Sequence, residues 1–284
     1  MSIIDAHHHL WDPAVRPYPW MTGPAAPLRR RFGADDLTAA LAGTEVTATV
    51  VVQAVSDESE TRDLLNAAAD GDSPVAGVVG WTDLTAPDVA DTLSKLIGDG
   101  GRLVAVRHQT HDERDPEWLL RPDVRRGLAT LADLGLAFDL LIRGREVPAA
   151  VRLAKAAPEL QLVVDHAAKP AIATGQWEPW LAGLTELAAF PQVSCKISGL
   201  VTEADPHHWR EQGVVRYARQ VIALFGPDRA MFGSDWPVCT LAATYDDVVN
   251  IALEATHDLS DADRQAVLGD TARRVYFQGR EPCT

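Results

Sequence analysis

Residues 3–11 read Ile3-Ile4-Asp5-Ala6-His7-His8-His9-Leu10-Trp11. The run opens with strand-forming residues and ends in polar and aromatic ones, which is typical of a buried parallel strand whose C-terminal end carries functional side chains. Residues two apart on an extended strand project to the same face, so His7 and His9 share a face and His8 points elsewhere. Two imidazoles on one face can share one ion or one substrate oxygen.

Seven more short runs rich in β-branched residues follow, and segments with helical periodicity separate them. With the first strand, they are Ile3–Asp5, Thr47–Gln53, Val75–Trp81, Leu103–Arg107, Ala137–Ile142, Leu162–Asp165, Val193–Ile197 and Ala230–Gly233. Strands that alternate with helices indicate a parallel sheet with crossover helices. Helix punctuation supports the alternation, with Pro122 opening one helix and the pair Ser260 and Asp263 capping another.

Eight such units predict a (β/α)8 TIM barrel of the α/β class. The chain has 284 residues, and roughly 250 are typical of one such barrel, so little remains for a second domain. We therefore predict a single domain over residues 1–284. An open doubly wound sheet is the alternative, although no glycine-rich dinucleotide fingerprint follows the first strand.

The composition is that of a folded globular protein with an acidic surface. The formal net charge is -14, which disfavours binding to nucleic acid and to anionic membranes. No apolar run is long enough to span a membrane, and no signal peptide precedes the first strand. Cys195, Cys239 and Cys283 are too few and too scattered for a disulfide framework. These features predict a cytoplasmic protein that binds a small molecule.

Polar and aromatic residues stand at most of the predicted strand ends. In a closed barrel, the C-terminal strand ends meet at one mouth, where barrel enzymes place their sites. The residues in question are His7, His9, Gln53, Trp81, Arg107, His108, Asp165, His166, Lys196, Asp235 and Trp236.

On these residues the chain resembles the amidohydrolase superfamily, amidohydrolase family 2, and within it the L-fuconolactonase and L-rhamnonolactonase group. The likeness spans nearly the whole chain. It is carried by Ile4-Asp5-Ala6-His7-His8-His9-Leu10-Trp11, Val106-Arg107-His108-Gln109, Val164-Asp165-His166 with Lys169-Pro170, Lys196-Ile197-Ser198-Gly199-Leu200 and Met231-Phe232-Gly233-Ser234-Asp235-Trp236-Pro237.

The resemblance implies a reaction centre framed by His7, His9, His166 and Asp235. The fourth and fifth strands lack the bridging ligands of binuclear relatives, so one divalent metal at most is expected. Three imidazoles and one carboxylate suit a single zinc ion with an open position. Metal-free lactonases occur in the same branch, so catalysis without a metal remains open.

The implied reaction is the opening of a small lactone, such as an L-fucono- or L-rhamnono-lactone. Asp235 is expected to activate water, and His166 and the other histidines to polarise the carbonyl. Substrate contacts are expected from six side chains, namely Gln53, Trp81, Arg107, His108, Lys196 and Trp236. For Lys196, pairing with an aspartate inside the barrel is an equally good interpretation.

Two other functions stay open at this point. An amidohydrolase-type decarboxylase uses a similar set of histidines and aspartate on a carboxylated ring. A barrel that binds a sugar acid without catalysis is the alternative outside enzymology. The sequence selects neither the particular lactone nor the oligomeric state, and a homo-oligomer is compatible with it.

Overall fold

Eight parallel strands form one sheet whose spatial order follows the chain, from β1 to β8. The computed structural model describes residues 2–71, 73–98, 100 and 102–277. The strands are β1 Ile3–His8, β2 Val46–Val52, β3 Val75–Gly80, β4 Leu103–His108, β5 Ala137–Leu140, β6 Leu162–Val164, β7 Val193–Ile197 and β8 Ala230–Phe232. All eight predicted strands are present, and no bound differs from its prediction by more than three residues.

The barrel closes where the first strand meets the segment after the last. The Asp235 N–H donates to the His7 carbonyl at 2.7 Å, and the His9 N–H donates to the Trp236 carbonyl at 2.6 Å. These bonds pair the two ends of the sheet, so the prediction of a (β/α)8 barrel is confirmed and the open doubly wound sheet is wrong.

Helices cover the outer face of the sheet. They are α1 Ala34–Leu41, α2 Glu58–Ala69, α3 Val89–Gly98, α4 Pro122–Asp133, α5 Val147–Ala156, α6 Trp180–Ala188, α7 Val214–Phe225, α8 Tyr245–Ala255, α9 Asp261–Gln265 and α10 Thr271–Phe277. Pro122 is the first residue of α4, and the Ser260 side chain accepts the Asp263 N–H before α9, as predicted. No helix in the described part of the chain has the length and apolar character of a membrane span.

The interior of the barrel below the mouth is mostly apolar and is closed from beneath by α10. Its buried residues form one cluster with side chains of that helix, namely Ile4, Ala6, Ala48, Val50, Val52, Ala76, Val79, Val104, Ala105, Ala137, Val163, Met231, Ala272, Val275, Tyr276 and Phe277. Gly77 leaves the space that Phe277 occupies, because a Cβ at position 77 would lie 3.1 Å from the Phe277 ring. The last helix is therefore part of the barrel core.

The cysteines carry no structural cross-link in the part of the chain described. Cys195 and Cys239 are buried and free, while Cys283 lies outside the described residues.

Candidate active site

Four side chains from three separate parts of the barrel meet at its C-terminal mouth. His7 Nε2 lies 3.3 Å from His9 Nε2. Asp235 Oδ1 lies 3.4 Å from His9 Nε2, 3.8 Å from His7 Nε2 and 4.0 Å from His166 Nε2. All four residues are at most 4% exposed. The structure thus brings together the four residues that the sequence placed at the reaction centre.

Strand geometry separates His8 from its neighbours. Its Nε2 lies 2.9 Å from the Thr49 hydroxyl oxygen, on the opposite face of β1 from His7. His8 is fully buried. It therefore serves the packing between β1 and β2.

Hydrogen bonds determine which nitrogen of His9 is free. Its Nδ1 lies 2.7 Å from the Val52 carbonyl oxygen, and a carbonyl oxygen only accepts, so Nδ1 carries the proton. Nε2 consequently presents a lone pair toward His7 and Asp235. On the other side of the centre, His166 Nδ1 is held by the Ser198 hydroxyl at 2.9 Å, which orients that ring as well.

His7 is surrounded by charged groups on both ring nitrogens. Arg107 Nη1 lies 3.3 Å from Nε2, while Asp165 Oδ1 and Lys196 Nζ lie 3.3 and 3.2 Å from Nδ1. Arginine and lysine can only donate, so each ring nitrogen of His7 faces a cationic donor, and Nδ1 also lies beside the Asp165 carboxylate. Asp165 Oδ1 and Lys196 Nζ together flank the Nδ1 side of the ring.

Burial and charge together keep the centre in one protonation state. Burial lowers the pKa of His7, His9 and His166 below the ordinary value of 6.5, so the three imidazoles are neutral at neutral pH. Burial also acts to raise the pKa of Asp235, but the His166 and His9 imidazoles offset it, and the pKa lies below its ordinary value of 3.8. An ionised carboxylate therefore faces three neutral imidazoles.

The backbone at two of these residues is strained. His166, Ala167, Ala168 and Lys169 all have φ between 51° and 56°, and Asp235 has φ of 57°. Non-glycine residues avoid this left-handed region at about 1–2 kcal/mol each. The Trp180 indole N–H donates to the Ala167 carbonyl at 2.7 Å and helps to hold the turn. Strain of this kind concentrates at functional sites.

Asp5 fixes the loop that carries Asp235. Its carboxylate accepts the Ser234 N–H at 2.8 Å and the Ser234 hydroxyl at 2.6 Å, and the Tyr245 hydroxyl at 2.9 Å. Burial raises the pKa of Asp5 to about 6, although these hydrogen bonds act to lower it. The first and last strands are thus joined next to Asp235.

Two glycines allow the site to close tightly. A Cβ at Gly199, which has φ of +62°, would lie 2.6 Å from His166 Nδ1. A Cβ at Gly233 would lie 2.7 Å from the His7 Cβ. Neither approach is possible with a larger residue, so these positions require glycine.

Gln53 and Arg107 lie side by side in the wall of the mouth. Gln53 Nε2 donates to the Arg107 carbonyl at 3.2 Å, and Arg107 Nη2 donates to the Gln53 carbonyl. Arg107 Nη1 also pairs with Asp165 at 2.9 Å. Among the residues that the structure describes, Gln53 Oε1 and Arg107 Nε are buried without a hydrogen-bond partner. Buried atoms of this kind require a partner, which a substrate can provide.

Lys196 lies deeper than a substrate-binding lysine. It is fully buried, and its ammonium lies 2.5 Å from Asp139 Oδ2 and 3.0 Å from Asp165 Oδ1. Of its two interpretations, the pairing with an aspartate inside the barrel agrees with this geometry.

His108 and Trp81 are the more exposed of the predicted substrate-binding side chains. The Trp81 indole N–H donates to His108 Nδ1 at 3.0 Å, and His108 Nε2 lies 2.8 Å from Glu113 Oε1. The His108 ring stacks on Trp118 with centroids 4.0 Å apart. His108 is thereby fixed in place at the rim.

Trp236 belongs to an aromatic cluster on the β1 side of the mouth. Its ring meets Phe32 edge to face at 5.5 Å, and Phe32 in turn meets Trp11 at 5.6 Å. Trp11 lies 5.9 Å from the His9 ring. The cluster forms an apolar wall beside His7 and His9.

The donor set fits a divalent metal ion. One ligand atom each from His7, His9 and Asp235 lies within 4.8 Å of the others, and all three residues are buried. Two imidazoles with a carboxylate are a common zinc set. A second group of His7, Asp165 and His166 also meets this distance, but Asp165 is already engaged by Arg107 and Lys196.

Several residues of the site were not identified from the sequence. Ser198 stands in the motif around Lys196, directly after a predicted strand. Its position at that strand end is the signal that could have identified it as a site residue. Asp139 is the lone acidic residue of β5, and the sequence of that strand indicates only that bridging metal ligands are missing. Tyr276, whose hydroxyl reaches Asp139, gave no signal because its helix is far away in sequence.

Comparison with known proteins places these residues in a family context. The chain is 38% identical to an L-fucono-1,5-lactonase of Burkholderia multivorans, over 96% of this chain and 95% of that protein. It is 41% identical to an L-fucono-1,5-lactonase of Burkholderia ambifaria, over 86% and 83% of the two chains.

A solved structure and a family model give the same assignment as these relatives. A crystal structure of an amidohydrolase from Burkholderia multivorans with bound zinc superposes with a TM-score of 0.90 at 37% identity, and it covers 98% of this chain and 99% of its own. The family model described as amidohydrolase matches residues 4–278. The chain belongs to the amidohydrolase family.

Proposed function

We propose that the chain hydrolyses a sugar aldonolactone of the L-fucono-1,5-lactone type. The observation that carries the proposal is the buried Asp235 carboxylate, whose Oδ1 lies within 4.0 Å of a ring nitrogen of His7, His9 and His166 at the mouth of the barrel. Relatives at 38% and 41% identity are L-fucono-1,5-lactonases, which makes a lactone of that type the first substrate to test.

Asp235 acts as the general base and then as the general acid. It takes a proton from water as the water oxygen bonds to the lactone carbonyl carbon, which gives a tetrahedral intermediate. When the bond between that carbon and the ring oxygen breaks, Asp235 returns the proton to the ring oxygen. The products are a carboxylic acid, which releases its proton to neutral solution and becomes a carboxylate, and a free hydroxyl on the same open chain.

The surrounding groups support the negative charge that develops on the carbonyl oxygen. Arg107 lies next to His7 Nε2 and brings a permanent positive charge to the centre. The Ser198 hydroxyl can hold His166 with its Nε2 protonated, and such an N–H is a donor for the oxyanion. The site therefore has its own means of stabilising the intermediate.

His7, His9 and Asp235, with His166 beside them, are the residues that would hold a zinc ion. When bound, such an ion polarises the carbonyl and lowers the pKa of water. The ring orientations described above are what a metal requires, because the Val52 carbonyl leaves the His9 Nε2 lone pair free.

Polar side chains in the mouth would bind the hydroxyl groups of the sugar. Gln53 Oε1 and Arg107 Nε have unused hydrogen-bonding capacity within the described structure. Trp81 and Trp236 offer flat apolar faces of the kind that pack on sugar rings. His108, fixed by Trp81 and Glu113, adds a further polar contact at the rim.

A lactone panel tests the proposal. Purified protein is assayed for acid release on L-fucono-, L-rhamnono- and other aldonolactones, before and after chelation and after addition of zinc. We expect turnover that is fastest on one aldonolactone. Carbon dioxide release from aromatic acids, or tight binding of sugar acids without turnover of any lactone, would overturn the proposal in favour of a decarboxylase or a binding protein.

A further inference from the structure

A continuous chain of buried polar groups connects the closed end of the barrel to the reaction centre. The Tyr276 hydroxyl of α10 donates to both oxygens of Asp139, at 3.0 and 2.9 Å. Asp139 Oδ2 lies 2.5 Å from Lys196 Nζ. Lys196 Nζ then lies 3.0 Å from Asp165 Oδ1 and 3.2 Å from His7 Nδ1.

Burying this series of polar groups costs free energy. Asp139, Asp165 and Lys196 are fully buried, and Tyr276 is 4% exposed. Replacing buried ion pairs with apolar residues is often neutral or stabilising for a fold. Apart from Ser194, the other residues of β5 and β7 are apolar or cysteine, so stability alone gives little reason for charges at this depth.

The series of polar groups ends at two neighbouring atoms, His7 Nδ1 and Asp165 Oδ1. That oxygen lies within reach of both the Lys196 ammonium, at 3.0 Å, and His7 Nδ1, at 3.3 Å. The contact with Asp139 Oδ2 holds the Lys196 ammonium beside both Asp165 Oδ1 and His7 Nδ1. Asp139, in turn, is oriented by the Tyr276 hydroxyl, which is a donor to both of its oxygens.

We propose that Tyr276 is a positioning residue for the reaction centre, and that its hydroxyl fixes the tautomer of His7 through Asp139 and Lys196. With the hydroxyl in place, Asp139 holds the Lys196 ammonium at one position beside His7 Nδ1, and the His7 ring keeps one tautomer and one orientation. Without it, Lys196 shares Asp165 more closely, and His7 loses its single orientation. The catalytic consequence rests on the proposed lactonase function, whereas the tautomer does not.

Tyr276→Phe removes the hydroxyl and keeps the ring that packs in the barrel core. The tautomer of His7 is read from long-range proton–nitrogen correlation spectra of protein with isotopically labelled histidine, without substrate. A His7→Gln variant assigns the signal. We expect one tautomer in the wild type and a mixture in Tyr276→Phe.

Kinetics give the second readout. Outer partners of catalytic groups typically contribute about 10- to 100-fold, so kcat of Tyr276→Phe should fall about tenfold with little change in KM, because Tyr276 is remote from the substrate. Asp139→Asn should reproduce both effects if Tyr276→Phe folds poorly. The kcat of the double variant should be no lower than that of the more impaired single variant, since both changes interrupt the same series of polar contacts.

Two control variants separate the hydrogen bond from general effects. Tyr217→Phe removes the hydroxyl of another buried tyrosine, which packs against Trp177 and Trp180 in the outer helical layer. Phe277→Leu loosens the packing of α10 without touching Asp139. Both should retain the His7 signal of the wild type and its kcat, although Phe277→Leu should melt at a lower temperature.

The spectra decide the inference independently of the enzyme assay. An unchanged His7 signal in folded Tyr276→Phe and Asp139→Asn would overturn the positioning role. The positioning role would also be overturned if the His7 signal changed in Tyr276→Phe but changed in the same way in Phe277→Leu. If the proposed substrate class is wrong, the lactone panel fails in the wild type while the difference in the His7 signal remains.

Discussion

The chemistry of the site depends on one carboxylate that stays ionised while its neighbours stay neutral. Asp235 and His166 face each other at 4.0 Å, and each affects the protonation of the other. The His166 imidazole is the main influence that lowers the pKa of Asp235 against burial. Such opposed environments are how one site provides a base and polarising groups at the same pH.

The pH dependence of kcat/KM follows from these directions. Because burial lowers the pKa of His7, His9 and His166 below 6.5, the imidazoles stay neutral as the pH falls through 6.5. Asp235 stays ionised, because its pKa is below 3.8. We expect kcat/KM to remain level from about pH 8 through 6.5 and to decline only in more acidic solution.

The measurement is a series of initial rates on the preferred lactone with spontaneous hydrolysis subtracted. Circular dichroism at each pH confirms that the protein is folded. A decline in kcat/KM with its midpoint at the ordinary histidine pKa of 6.5 would show that a protonated imidazole limits the reaction. It would contradict the neutral state of the three imidazoles.

The turn over residues 166–169 shows how a short element sets the geometry of the centre. Four successive left-handed residues aim His166 at Asp235, and Gly199 makes room for the His166 ring. The Ser198 hydroxyl next to that glycine holds the ring nitrogen. The strained turn and the end of β7 therefore form one unit.

Gly199→Ala tests this unit against a matched control. The new methyl group would lie 2.6 Å from His166 Nδ1 and 3.1 Å from Asp235 Oδ2. Because small displacements of catalytic groups cost up to about 100-fold, we expect kcat to fall by about 10- to 100-fold. Gly175→Ala places the same methyl group at a similar φ of +67° with nothing within 4 Å.

Both variants should lose about 1–2 kcal/mol of unfolding free energy from the left-handed backbone, as measured by chemical denaturation. Only Gly199→Ala should lose activity. Equal kcat values in the two variants would show that the His166 position does not depend on the close approach of Gly199.

The closed barrel explains which parts of the protein could be predicted. Strand ends are visible in sequence as apolar runs followed by polar residues, and closure brings their ends together, so His7, His9, His166 and Asp235 were identified before the structure. Contacts between distant elements leave no such pattern. The aromatic stacking on His108 and the link from Tyr276 to Asp139 arise from packing, and spacing along the chain does not encode them.

Zinc binding should be visible in the stability of the folded protein. A ligand that binds only the folded state stabilises it, by about 2.7 kcal/mol at 100 times Kd. We expect added zinc to raise the Tm of chelator-treated wild type and of His257→Gln, whose histidine is exposed. His9→Gln removes a proposed ligand and should show a much smaller rise.

Differential scanning fluorimetry at several zinc concentrations gives the comparison directly. An equal rise in Tm for His9→Gln and the wild type would place the ion elsewhere on the protein. Such a result would leave the lactonase proposal in its metal-free form.

The most direct test of the reaction centre is the turnover of Asp235→Asn on the preferred lactone. Asparagine keeps the shape of the side chain and cannot accept the proton of water, so kcat should fall by about 10²–10⁴-fold while circular dichroism shows a folded protein. Asp246→Asn, at an exposed aspartate of α8, should keep the rate of the wild type. A folded Asp235→Asn variant that retains most of the wild-type rate would contradict the account.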